Sequence, residues 1–368
     1  MPDVNAQVQA VLDDLVARGV ERGLQVAAYR DGQLIVDAWA GVADAETGSP
    51  VDGETLFCVF STSKGITATL IHMLAERGLL DYDAPLTRYW PEFGAHGKDA
   101  ITVRHVLTHT AGVPHLPPGA GVAQQCDWDW MVHGLEGLAP LWQPGSQAGY
   151  HALTYGWLLG EVAHRVTGRS VGQLLQDEIC APLAIDSLFM GIPDAVEPRV
   201  ARLEAAPAPP PPDDAQSWLA IPHACWPLWE WANRPEVRRA TIPAGVGIAN
   251  ARAIARHYAA LVGPVDGARL LSAERLALAL TPQTPVTNLE TGQPAPWALG
   301  YAPFGPPSAP GALPPFGHGG AGGSIGYADP AHRIAFALTK NRMVDNPAPG
   351  DAAVERVGAA LRAALGHA

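Results

Sequence analysis

Segments with strand character occur at both ends of this 368-residue chain, and the stretch between them is rich in helix and loop. Near the start, Gln25 to Tyr29 and Gln33 to Gly41 alternate or cluster apolar residues around Asp31-Gly32, a strong two-residue hairpin signal. Near the end, Trp297 to Phe304, Phe316 to Ala328 and Arg333 to Thr339 read as strands. Between them, Ile66 to Arg77, Tyr155 to Thr167 and Ala251 to Leu261 carry helical periodicity. Distant strands of this kind predict an α+β fold in which one antiparallel sheet is assembled from both termini, with a mainly helical part inserted. We set the boundaries at 1–60 and 295–368 for the sheet part and 61–294 for the helical part. A helix striped by Val4, Val8, Val11, Leu12, Leu15 and Val20 opens the chain, and Asp351 to Leu365 closes it as a helix. The Pro-rich tract Ala206 to Pro212 reads as a surface crossover.

Chemistry is concentrated at one lysine. The chain holds only three, Lys64, Lys98 and Lys340, and Lys64 follows Ser61 by three residues at the start of a helix. That spacing puts both side chains on one face. A serine hydroxyl becomes a nucleophile when a base takes its proton, and a desolvated neutral lysine can be that base, whereas arginine cannot. Ser-x-x-Lys alone is also common on solvated helices.

Composition narrows the field. With a formal net charge of −12 and 16% charged residues, the chain lacks the basic surface that nucleic acid or an anionic membrane selects. No apolar run is long enough to span a bilayer. The amphipathic N-terminus does not resemble an export signal, so the expected location is cytoplasmic. Cys58, Cys126, Cys180 and Cys225 are scattered without a CxxC pair, which predicts reduced thiols and no metal.

Three weaker signals compete. Gly322-Gly323-Ser324-Ile325-Gly326 fits Gly-x-Ser-x-Gly, but strand character continues after it, so Ser324 is read as part of a glycine-rich strand. His105 and His109 have the spacing of a zinc pair, with Val106 in place of glutamate and no third ligand, and are read as structural. Trp218, Trp226, Trp229 and Trp231, with Trp128 and Trp130, either pack loops onto the helical part or wall an acyl pocket.

Beyond Phe57-x-x-x-Ser61-x-x-Lys64, the chain contains Leu107-Thr108-His109-Thr110-Ala111-Gly112-Val113-Pro114, then the run from Pro144 through Tyr150-His151-Ala152 to Glu161. Phe316-Gly317-His318-Gly319-Gly320-Ala321-Gly322-Gly323-Ser324-Ile325-Gly326 follows near the end. In that order these motifs resemble the serine β-lactamase and penicillin-binding-protein superfamily. The nearest likeness is its class C-like branch, which includes family VIII carboxylesterases and related acyltransferases. The resemblance covers nearly the whole chain and implies an active site in the groove between sheet and helical parts. It implies Ser61 as nucleophile, Lys64 and Tyr150 as the base pair, and an oxyanion hole from the backbone N–H groups of Ser61 and Ala321. His318, Gly319, Gly320 and His151 become the candidate substrate contacts, the two glycines letting substrate approach the strand.

Which of Lys64 and Tyr150 takes the serine proton stays open; a phenol would need nearby cations, Lys64 and His318 being the candidates. His318 is either such a cation or a neutral hydrogen-bond partner. Two departures matter. His318-Gly319-Gly320 stands where the superfamily has Lys-Thr-Gly, and Tyr150-His151-Ala152 where it has Tyr-x-Asn. Both remove polar partners of a β-lactam that an uncharged ester does not need. The expected activity is therefore serine hydrolysis or acyl transfer on a small ester, thioester or amide. An acyl acceptor or carrier is a further candidate partner, and no metal or cofactor is needed. A β-lactamase or D-alanyl peptidase, and a non-catalytic binding or assembly protein, are the alternatives.

Overall fold

The computed structural model describes residues 3–205, 223–283, 286–295, 297–344 and 352–366. Its centre is a seven-stranded antiparallel sheet drawn from both ends of the chain. The strands are β1 (Gly23–Arg30), β2 (Gln33–Asp44), β3 (Ser49–Pro50), β4 (Ala302–Pro303), β5 (Phe316–Gly319), β6 (Ile325–Asp329) and β7 (Ile334–Lys340). Their spatial order is β3-β2-β1-β7-β6-β5-β4. First and last strands thus meet at the middle, with Leu24 opposite Lys340 and Arg30 opposite Ile334.

The turn between β1 and β2 is the predicted one. Asp31 and Gly32 both have positive φ, 51° and 77°, the backbone that matches the twist of a tight hairpin. Period-two alternation then sorts β1 between two cores. Leu24, Val26 and Ala28 face outward with Val36, Ala38, Phe336 and Leu338. They are covered by helices α1 (Val4–Ala17) and, at the other end of the chain, Ala353–Leu365, through Val8, Leu12, Leu15, Val357 and Leu361. Ala27, Tyr29, Ala335 and Ala337 face inward and join the main core. There α2 (Ser63–Glu76), α3 (Thr154–Thr167) and α4 (Ala251–Val262) are found, with α4 lying directly on β1, β6 and β7. Gly326 allows that approach, since a Cβ there would sit 2.4 Å from Ile254 Cγ2. α2 is buried all round from Ser63 to Ala75, as suits a helix between other layers.

Two strand expectations fail locally. Trp297 to Tyr301 is not strand: Gly300 turns the chain at φ 81° and gives its N–H to Leu107 O at 3.0 Å. Phe316 to Ala328 is not one run either. Gly322 and Gly323, at φ 76° and 103°, fold it into a hairpin of β5 and β6. Ser324 therefore ends a turn rather than sitting inside a strand. The tract 206–212 and Trp218 lie outside the described residues.

Candidate active site

Ser61 is presented by a strained turn. Phe57–Cys58 pairs with Ile248–Ala249, which also pairs with Leu188–Phe189, and Val59 N–H donates to Gly247 O at 2.8 Å. The chain then reverses through Phe60, an aromatic residue at φ 47°, a conformation costing on the order of 1–3 kcal/mol. A short helical turn, Phe60–Thr62, leads into α2, and its first hydrogen bond runs from Thr62 N–H to Val59 O at 3.1 Å. The Ser61 N–H comes before that bond, among the donors a helix leaves free at its N-terminus.

Lys64 lies one turn further along, fully buried. Its Nζ is 2.7 Å from Ala152 O, 2.8 Å from Ala244 O and 3.0 Å from Ser61 Oγ. Burial holds its pKa well below the usual lysine value, because nothing anionic offsets the desolvation of an ammonium. A neutral amine has two N–H groups and one lone pair. The two carbonyls can only accept, so they take the N–H groups, and the lone pair is left to the Ser61 O–H.

Tyr150 completes the triad. A side-chain hydrogen bond links it to Ser61, and Lys64 Nζ lies 4.7 Å from its ring centroid. The segment around it is clamped on both sides. Gly149 N–H donates to His109 O at 3.0 Å, His151 N–H to His109 Nδ1 at 3.1 Å, and Tyr150 N–H to Glu290 Oε1 at 3.2 Å. Ala148 forms a parallel bridge with Asn288, through Ala148 N–H to Thr287 O at 2.9 Å and Leu289 N–H to Ala148 O at 2.8 Å. Burial raises the phenol pKa above its ordinary value; the Ser61 bond lowers it and the charge of Glu290 raises it. The cationic field expected around Tyr150 is weakened, because burial lowers the pKa of Lys64 and holds that of His318 at about 3.

His318 sits on β5 with its ring 6.3 Å from that of Tyr150 and stacked at 6.5 Å on Trp297. Its Nδ1–H donates to Gly319 O at 2.7 Å, and burial holds its pKa down to about 3, so it is the neutral partner of the two forms considered. Just beyond it, the first hydrogen bond of the turn Ala321–Gly323 is Gly323 N–H to Gly320 O at 3.1 Å, and the Ala321 N–H precedes it. This turn is stitched to the Ser61 turn by Thr62 Oγ1 donating to Ser324 O at 3.3 Å.

The two glycines after His318 differ in use. A Cβ on Gly319 would meet open space, whereas one on Gly320 would lie 2.1 Å from Val59 O. Gly320 is needed for turn-on-turn packing rather than for substrate. His151, expected to touch substrate, is fully buried with both ring nitrogens engaged: Nδ1–H donates to Gly149 O at 2.7 Å and Nε2 accepts from Val113 N–H at 3.1 Å. It braces the segment that carries Tyr150.

The competing signals resolve into structure. His105 Nδ1 accepts from Thr102 N–H at 3.2 Å in a helix cap, and His109 Nδ1 holds His151. Trp128 and Trp231 donate their indole N–H groups to Glu161 and Gln125 at 2.9 Å each, as packing residues do. The aromatic groups at the site come from elsewhere: His109 at 4.7 Å from Tyr150, and Trp297 at 4.7 Å from His109. Neither they nor Glu290 stood out as site residues in the sequence; His109 had the signal of its motif and Glu290 had none. All four cysteines are free thiols, and burial pushes Cys58 up to about 11.

Comparison with known proteins places the chain in a family. A family model described as Beta-lactamase matches residues 8–360. The chain is 40% identical over 354 residues to the esterase/beta-lactamase LipL of Mycobacterium tuberculosis, covering 88% of this chain and 77% of that protein. It is similar to the crystal structure of a family VIII carboxylesterase, with 32% identity, a TM-score of 0.87 and coverage of 99% and 98% of the two chains. A penicillin-binding protein homologue from Caulobacter crescentus is 34% identical at a TM-score of 0.85, with 98% of each chain covered. The fold is the β-lactamase/transpeptidase-like one that the motifs implied, and with the match extending over nearly its full length, this chain belongs to the beta-lactamase family.

Proposed function

We propose that the protein is a serine ester hydrolase working through an acyl-Ser61 intermediate. The observation that carries this reading is the three-way arrangement at Lys64: with its N–H groups given to two carbonyls, a neutral amine's lone pair meets the Ser61 hydroxyl among the described residues. Ser61 Oγ attacks the ester carbonyl carbon as its proton passes to Lys64 Nζ. The carbonyl oxygen takes the electron pair and is held by the N–H groups of Ser61 and Ala321, an arrangement worth a few kcal/mol of barrier. As the C–O bond to the alcohol breaks, Tyr150, a phenol at neutral pH, protonates the departing oxygen and is reprotonated from Lys64. Water then attacks the acyl-enzyme, giving one proton to the same relay, and Ser61 is released as the alcohol.

An amine or alcohol in place of water would make the same enzyme an acyltransferase, since the acylation half is shared. The relative LipL carries both esterase and beta-lactamase in its name. In this chain, neutral His318 and Ala152 replace the fixed charge and amide that suit a β-lactam, which supports esters, with thioesters and amides as further acyl donors. We assign His318 and Gly319 to the substrate side of the groove and keep 1–60 with 295–368 as the sheet part and 61–294 as the helical part. No helix among the described residues is long and apolar enough to cross a membrane. Four free thiols suit a reducing, cytoplasmic setting.

The test is turnover of small neutral esters by wild type and Ser61→Ala. Loss of turnover in the variant with an unchanged melting temperature supports the reading; substantial activity in Ser61→Ala refutes it.

A further inference from the structure

Two acceptors, Glu290 and His318, lie beside Tyr150. Glu290 is fixed there by its Oε1 accepting from Tyr150 N–H at 3.2 Å and by its own N–H donating to Asn288 Oδ1 at 2.8 Å. Asn288 is buried and belongs to the bridge with Ala148, so the carboxylate is positioned by backbone pairing rather than swinging on a free loop. Among the described residues no cation forms an ion pair with Glu290. The groups that face Tyr150 are Ser61, Lys64, His109, Trp297 and His318, and burial lowers the pKa of each of the three basic ones. His318 adds a second observation. With Nδ1–H given to Gly319 O, its Nε2 is a buried lone pair without a hydrogen-bond partner among the described residues. A buried acceptor left unpaired costs free energy that a donor on the substrate would recover.

Building on the acyl-Ser61 reading above, we propose that Glu290 and His318 form a leaving-group subsite that selects alcohols or amines carrying an ammonium group and rejects those carrying a carboxylate. In the reading above Tyr150 delivers the proton to the leaving group, and the acceptors next to it are Glu290, hydrogen-bonded to the Tyr150 backbone, and His318, with its ring 6.3 Å from that of Tyr150. By microscopic reversibility the same subsite would receive a cationic acyl acceptor.

Three butyrate esters of nearly equal shape test this: 2-(dimethylamino)ethyl butyrate, protonated at neutral pH, 3-methylbutyl butyrate, and the butyrate ester of 3-hydroxypropionate. Butyrate release is followed for wild type, Glu290→Gln and Glu290→Asp, at low salt and in 0.5 M sodium chloride. Wild-type kcat/KM should follow the order cation, neutral, anion. A unit charge within a few ångströms of the partly wet subsite should make the cation-to-anion ratio fall about tenfold in Glu290→Gln, while Glu290→Asp retains most of it. High salt should shrink the wild-type ratio. An anionic ester as good as the cationic one in wild type overturns the inference without any variant, and so does a ratio unchanged in folded Glu290→Gln. If wild type hydrolyses none of the three, the esterase reading itself fails and this subsite with it. Hydrolysis of the neutral ester with no charge preference removes the subsite alone.

Discussion

Lys64 shows why a residue type can be read from sequence while its protonation cannot. The scarcity of lysine and the three-residue spacing from Ser61 pointed to it. What would make it a base is burial among Ala152 O, Ala244 O and Ser61 Oγ, and Ala152 and Ala244 lie 88 and 180 residues away. Replacement by arginine keeps a charge and loses the lone pair. Lys64→Arg and Lys64→Ala should therefore both lower kcat/KM for a neutral ester by about 10²-fold or more, the usual worth of a general base. Near-wild-type rates in Lys64→Arg would show that charge alone matters and move the base role to Tyr150. Tyr150 and His318 were legible through their motifs, but the field imagined around the tyrosine was not. Sequence places basic residues near a phenol; only packing tells that desolvation lowers their pKa. Glu290 left no trace, because a surface glutamate in a Pro- and Gly-rich loop has no pattern until its partner strand is known.

The decisive element is the pair of turns that carry the backbone N–H groups proposed as the oxyanion hole. Phe60–Thr62 and Ala321–Gly323 come from opposite parts of the chain and meet through Gly320 against Val59. Gly320→Ala would push a Cβ into Val59 O, separate the turns and weaken the oxyanion hole, with an expected loss of about 10²-fold in kcat and a smaller change in KM. Gly319→Ala, facing open space, should cost far less. Equal losses at the two positions would contradict the split between packing and substrate roles. The motif alone marked both glycines, yet which one packs and which one opens depends on the register of β5 with β6. The same limit explains the strand errors. Apolar runs around residues 297–301 and 316–328 look continuous, and positive φ at Gly300, Gly322 and Gly323 breaks them.

At the scale of the whole molecule, the sheet built from both termini was readable because period-two runs and an Asp-Gly turn survive without tertiary context. The layering was less so: α2 is buried on every side, and α4, from the middle of the chain, lies on the sheet's inner face. Burial on this scale has a pH signature. His72, His151, His257 and His318 all have folded pKa values near 3 against about 6.5 when exposed, so the unfolded chain binds more protons between those values. Stability should be fully present above about pH 6.5 and fall as pH drops toward 3, seen as a steady decline in melting temperature from pH 7 to 4. A flat profile over that interval would mean these imidazoles are not held neutral by the fold. The family match covers 8–360 and therefore both the sheet strands and the segments that carry Ser61, Lys64 and Tyr150.

The most direct measurement is intact-mass spectrometry of the protein quenched during turnover of p-nitrophenyl esters, acyl thioesters and a penicillin, followed by peptide mapping. We expect one acyl group added by the neutral ester, located on the peptide containing Ser61, absent in Ser61→Ala, and weak or absent labelling by the penicillin. Acylation of Ser324, or turnover without any acyl adduct at Ser61, would contradict the account.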